Sequence, residues 1–125
     1  MRLTLSTRMA GDVTVVDCVG DIVYRDEAAL LRSDVKKLLE EGRKVVLNLA
    51  EVRMVDSNGV GTLVGLLTSS RGHGELRLAA LGKKMQDVLK ITKLTALFAI
   101  EETVEQAVEK FQRENTPVAV GELPH

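Results

Sequence analysis

The spacing of hydrophobic and polar positions changes several times along the chain, and each change marks a new element. Leu3 and Leu5 alternate with polar neighbours, and after Ala10-Gly11-Asp12 the run "VTVVDCVG" alternates more densely. Two such runs about a Gly-containing turn predict an antiparallel hairpin. From Asp26 to Gly42 the period lengthens, with Ala28, Leu31, Val35 and Leu38 recurring at helical spacing. Asp26 and Glu27 open that helix, and Gly42 is placed to stop it. "KVVLNLA", Lys44 to Ala50, is almost wholly apolar, as a strand covered on both faces must be. An apolar helix, "VGTLVGLLTSSRG", starts at Val60. A strand "ELRLAAL", a helix "KKMQDVLKIT" with Met85, Val88 and Leu89 inward, a short strand "ALFAI" and a last helix "TVEQAVEKFQ" complete the pattern. In that last helix Val104, Ala107, Val108 and Phe111 form the stripe.

Strands alternating with helices predict an α/β fold: a mixed, mostly parallel sheet with an antiparallel N-terminal strand and about four helices. The expected organisation is one domain over residues 1–114 and a flexible tail over 115–125, where both prolines fall. A chain of 125 residues suits one core. Aromatic residues make up 2%, so the core is aliphatic and no surface for stacking bases is expected. A net charge of -1 with mixed signs argues against direct nucleic-acid binding. No apolar run approaches the roughly 20 residues of a membrane span, and the first residues lack a signal-peptide pattern, so the expectation is a cytoplasmic protein. The single cysteine, Cys18, reads as a small core residue. His73 and His125 are far apart, and nothing clusters with them to hold a metal. Neither metal nor cofactor is expected.

Candidate chemistry concentrates in "MVDSNGVG", Met54 to Gly61, where a strand gives way to a helix. A helix start leaves N–H groups unpaired, and Ser57 or Asn58 can cap them. Asp56 places negative charge at the positive end of the helix dipole. Gly59 permits a sharp turn and a close backbone approach. All of this makes a good helix start, yet in α/β sheets the carboxyl end of a strand is also where ligands and modifications gather. Val60, Leu63, Val64 and Leu67 read as one apolar face, with Leu66 off it. Gly61 and Gly65 form a GxxxG, which fits either tight packing on the sheet or a smooth surface for a partner. Ser57 lacks the G-x-S-x-G setting of a hydrolase nucleophile and a histidine base, and the P-loop pattern is absent. An exposed serine without a base is better suited to receiving a phosphate than to attacking.

"VVLNLAEVRMVDSNGVGTLVGLL" resembles the core motif of STAS domains, most closely the bacterial anti-sigma factor antagonists, whose pattern is a strand followed by D-S-[S/T]-G-[L/V]-G. "VVDCVGDIVYRDEAALL" is similar to the family's G-E-[L/I] segment, and "KKMQDVLKITKLTALFAIEETVEQAV" to its C-terminal stretch. Asn58 departs from the usual Ser or Thr, and Val23 stands where many members carry an acid. The resemblance implies a non-enzymatic regulator with Ser57 as phosphoacceptor, surrounded by Asp56, Asn58 and Gly59. It implies partners too: an anti-sigma factor that is also a serine kinase, and a serine phosphatase. The kinase would dock on Val60, Gly61, Thr62, Gly65 and Leu66, and the protein is expected to be a monomer or weak dimer. The alternative roles are a STAS subunit of a lipid-transporting ABC system and a stressosome-type component.

Overall fold

The computed structural model describes residues 3–70 and 75–115. His73, His125 and residues 116–125 of the expected tail lie outside the described residues.

The hairpin forms as its alternation predicts. Strand β1 (Thr4–Ala10) pairs antiparallel with β2 (Val13–Ile22), from Thr4 opposite Val19 to Ala10 opposite Val13. Helix α1 (Tyr24–Glu40) then crosses to β3 (Lys44–Val55), α2 (Ser57–Ser70) leads to β4 (Glu75–Ala79), and α3 (Lys83–Ile91) leads to β5 (Ile100–Glu101) before α4 (Val104–Asn115). The sheet order is β1-β2-β3-β4-β5, and every pair except the first is parallel. An antiparallel strand therefore edges an otherwise parallel sheet, as expected.

Period-two alternation in β3 explains why its sequence looks continuously apolar. Val45, Leu47 and Leu49 enter the core beneath α1, α2 and α3, where they meet Leu31, Val35, Leu63, Leu66, Met85 and Leu89. Val46 points the other way, into a smaller core closed by α4 with Val13, Val15, Ala79, Val104, Ala107 and Phe111. Both faces are apolar because both are covered. Fully burying each such Leu or Val is worth about 1.5–3 kcal/mol, so the sheet anchors the domain. Arg77 ties β4 to the last two elements, 3.5 Å from the Glu101 carboxylate and stacked 4.9 Å from the Phe111 ring centre.

Gly42 does stop α1. At φ 79° it takes the left-handed position, donating to Leu39 O at 2.9 Å while Arg43 donates to Leu38 O at 3.2 Å, which closes the last turn. Within α1 the fully buried stripe is Ala28, Leu31, Val35 and Leu39, with Leu38 half-buried beside it.

α1 begins two residues before Asp26, at Tyr24, β4 ends at Ala79 and not Leu81, and three further elements differ more from the sequence pattern. β3 does not end at Ala50 but runs to Val55, because β2 keeps pairing with it as far as Ile22 opposite Val55. Two register shifts interrupt that pairing and leave Ala50, Glu51, Arg53 and Met54 outward in pairs, which erases the alternation a strand normally shows. The strand expected over Ala96–Ile100 shrinks to Ile100–Glu101, since Thr95–Leu97 closes a 3₁₀ turn that drops Phe98 into the core. α2 starts earlier than its apolar run, at Ser57, and is rotated from its expected face. Gly59, Leu63 and Leu66 are buried, while Val60, Val64 and Leu67 form the half-buried flank.

Gly59 fixes that rotation. A Cβ there would lie 2.3 Å from the Ile22 carbonyl oxygen and 2.5 Å from Val55 Cγ2, so α2 sits directly on the ends of β2 and β3. Only hydrogen fits. Gly65, one helix face away, has nothing within 4 Å of the same position. Gly59→Ala should therefore cost about 1–3 kcal/mol through overpacking. Gly65→Ala should gain up to about 1 kcal/mol in helix propensity. Urea unfolding of the two variants measures both. Equal shifts in the same direction would mean that the approach at Gly59 does not set the position of α2.

Candidate functional site

At the ends of β2 and β3 two helices begin side by side, and one carboxylate serves both. Asp56 is the residue before α2. Its Oδ1 accepts the Gly59 N–H at 3.0 Å, and its carbonyl accepts the Val60 N–H at 2.9 Å. Asp56 is thus the N-cap of α2, not Ser57 or Asn58 as the sequence suggested. The reason is the extra length of β3, which carries the extended backbone right up to Asp56 and makes Ser57 the first helical residue. The other oxygen, Oδ2, accepts the Tyr24 N–H at 3.0 Å. Tyr24 opens α1, which has no side-chain cap of its own. The Asp56 N–H in turn donates to Ile22 O at 3.3 Å.

This geometry fixes the electrostatics. The Tyr24 N–H hydrogen bond, the largest influence, holds the Asp56 carboxyl below its ordinary range, and the Gly59 and Asn58 hydrogen bonds add to the effect. Partial desolvation opposes them. Asp56 is therefore ionised at neutral pH and sits where the dipole of α2 favours it. Tyr24 holds φ 67°, a conformation that costs a non-glycine residue about 1–2 kcal/mol, and the residue is 65% exposed. Its role was not visible in the sequence, because nothing local marks a tyrosine for positive φ.

Ser57 is exposed at the first position of α2, and among the described residues its side chain is hydrogen-bonded to nothing. Asn58 is exposed beside it, and Gly59 is buried beneath it. Val23, where the resemblance expects an acid, is half-buried just before Tyr24, so the acid beside Ser57 is Asp56. Along α2, Gly61 is exposed and Val60, Thr62 and Gly65 are half-exposed. A Cβ on Gly61 or Gly65 would meet nothing within 4 Å, so packing within the domain does not require either glycine. Leu66 is different. It was expected on the open face but is 1% exposed in the main core, because Gly59 turns the 59, 63, 66 arc onto the sheet. It is not available to a partner. Exposed Met54, one strand residue before Val55, is an apolar neighbour that the sequence reading passed over.

Elsewhere the chemistry is sparse. Cys18 is buried, and burial pushes its thiol up to about 12, which suits a core residue and not a reactive one. Among the described residues no group of His, Cys, Asp or Glu is placed to hold a metal ion, and no helix is long and apolar enough to cross a membrane. A cavity of about 520 Å³ opens between α3 and β5, lined by Leu81, Gln86, Lys90, Thr95, Ile100, Glu101 and Glu102, with no residue from the Ser57 junction.

The cap can be tested through its pH dependence. Asp56→Ala should cost about 0.5–2 kcal/mol at neutral pH. Because the folded-state pKa is lowered, the stabilisation is present above the unfolded value of about 3.9 and is lost as pH falls through the folded value. The gap between wild type and variant in urea midpoint should therefore hold at pH 7 and 5 and narrow below about pH 4. A gap independent of pH would mean that the carboxylate charge contributes nothing.

Known proteins share this architecture. The STAS domain profile matches residues 4–107. A Thermotoga maritima protein, itself a candidate anti-sigma factor antagonist, is 32% identical over 71 residues, 56% of this chain and 63% of that relative's length. The crystal structure of a candidate anti-sigma factor antagonist from Thermotoga maritima superposes with a TM-score of 0.74 at 28% identity, covering 87% of this chain and 95% of that one. The Bacillus cell fate determinant SpoIIAA in its phosphorylated form shares the fold, with a TM-score of 0.66 at 18% identity over 86% of this chain and 99% of that one. With a five-stranded sheet edged by an antiparallel strand and four α-helices among the described residues, and a family match over residues 4–107, the chain belongs to the STAS domain family.

Proposed function

We propose that this protein is an anti-sigma factor antagonist that acts by binding, not catalysis, and is switched off by phosphorylation of Ser57. The observation that carries the reading is an exposed, unengaged serine at the first position of a helix whose outward glycines the fold itself does not need. Its similarity to a candidate antagonist from Thermotoga maritima supports the same class. The partner is an anti-sigma factor with serine kinase activity, docking on the start and outer side of α2 through Val60, Gly61, Thr62 and Gly65. A serine phosphatase restores the unmodified form.

A phosphoserine carries about 1.5–2 negative charges at neutral pH. At the start of α2 the free N–H groups favour an anion, while Asp56 opposes it by a similar amount, about 1 kcal/mol each way. The fold is then little changed. The effect falls on the interface, where a hydrated dianion must shed its water for the partner to dock. That cost reaches several kcal/mol, a hundredfold or more in affinity.

Incubation with a purified anti-sigma factor kinase and ATP should add one phosphate, at Ser57, by mass spectrometry, and Ser57→Ala should abolish it while leaving the fold intact. Stoichiometric labelling of the alanine variant would sink the assignment. For the docking face, Gly65→Arg should weaken partner binding at least tenfold with little change in urea midpoint. Unchanged affinity in a folded variant would place the surface elsewhere. Ser57→Asp should lower affinity, less than phosphate does, and shift backbone amide signals only over residues 55–63. Shifts throughout the sheet would mean that the charge acts by rearranging the fold.

A further inference from the structure

α2 carries no charged side chain along its whole length, "SNGVGTLVGLLTSS". Whatever docks on it gains shape and apolar contact there, but no charge. The charge lies next door. A groove of about 200 Å³ runs between α1 and α2, lined by Arg25, Ala28, Ala29 and Arg32 on one wall and by Asn58 and Thr62 on the other. Arg25 and Arg32 are spaced i, i+7, about 10 Å along one flank of α1. Lys36, one turn beyond Arg32, continues the same flank. Of the acids of α1, Asp26 and Glu27 line a separate depression with Leu3 and Leu30, and none lines this groove. Arg25 and Arg32 are exposed and form no ion pair among the described residues. Two positive charges thus line a groove whose other wall is formed by neutral Asn58, the residue after Ser57, and Thr62 one turn on.

We propose that this groove receives an acidic segment of the partner protein, two carboxylates of which reach Arg25 and Arg32 while the partner's apolar surface covers α2. The proposal rests on the docking face above and names what that face lacks, its electrostatic half. Charge complementarity carries it. Guanidinium groups present several N–H donors to a carboxylate, Asn58 and Thr62 add neutral hydrogen-bonding groups, and small Ala28 and Ala29 leave the floor open. The placement also bears on the switch. A phosphate on Ser57 adds negative charge beside the stripe and weakens its attraction for an incoming acidic segment, so repulsion at a distance would accompany the desolvation cost on contact.

Two measurements test this separately from the function itself. In the first, unlabelled hexaglutamate is titrated into the ¹⁵N-labelled protein at low salt, with hexalysine as the control. Saturable shifts at Arg25, Arg32, Asn58 and Thr62, absent with hexalysine and lost in the folded Arg25→Gln/Arg32→Gln double variant, are expected. Shifts scattered over the surface, equal shifts in the double variant, or none up to millimolar peptide would overturn the proposal. In the second, association with the anti-sigma factor kinase is followed at two salt concentrations. The double variant should associate about 3- to 10-fold more slowly at low salt, and the difference should fade as salt rises. Equal rates at low salt would exclude the arginines from the encounter. If no kinase binds the unmodified protein at all, the functional reading fails while the peptide titration still decides the groove. The phosphorylated protein alone is the last control. Perturbed Nε signals of both arginines there would show the groove to be filled by the protein's own phosphate, and the partner assignment would be wrong.

Discussion

Asp56 holds the working end of this domain together. One carboxylate oxygen binds the N–H that must be capped at the start of α2, and the other binds the N–H of Tyr24 at the start of α1. Two helix starts that would otherwise leave donors to water are fixed to one another across the ends of β2 and β3. The packing between α1 and α2, the groove they enclose and the outward presentation of Ser57 all follow from that shared anchor. Gly59 supplies the steric half of the constraint. Because the Ile22 carbonyl occupies the place of a side chain there, α2 can sit in one rotation only. That rotation sends Leu63 and Leu66 into the core and leaves Gly61 and Gly65 outward.

A negative charge added at Ser57 meets an arrangement that is already satisfied. Asp56 has taken the Gly59 N–H, and its low pKa keeps it charged beside any phosphate. The attraction of the helix start for an anion is thus partly spent on Asp56. This balance lets a site change its surface chemistry without remodelling its backbone. The proposed switch at Ser57 is accordingly a matter of what can approach.

Under the proposed docking, the surface around the site divides its tasks between two helices. α2 offers small and apolar groups with no charge, and the neighbouring flank of α1 offers Arg25 and Arg32, which line the groove between the two helices. Shape complementarity and electrostatic attraction need different side chains, and putting them on adjacent helices lets each be varied independently. Tyr24 opens α1 and Met54 lies two residues before Asp56, and both are large and exposed. Exposed apolar groups beside a polar rim are common where proteins meet.

Much of this was legible in the sequence, for local reasons. Alternation in β1 and β2, the helical stripe of α1, the glycine that ends it and the apolar run of β3 are each set by neighbours within a few residues, so the order of elements and the antiparallel edge could be read directly. The "DSNG" junction was visible as a helix start with an exposed serine. What could not be read depended on partners distant in sequence. β3 outlasts its apolar run because β2 keeps pairing with it through two register shifts, and this moves the cap from Ser57 to Asp56. Leu66 looked exposed on an isolated helix, but contact between Gly59 and Ile22 turns it inward. The positive φ of Tyr24 is sustained by a carboxylate 32 residues away, and the groove exists only because two helices that are neutral or basic on their facing flanks pack side by side. Periodicity and turn chemistry, which act over a few bonds, fixed the elements. Their rotation, their caps and the surface they jointly present were decided by packing across the sheet.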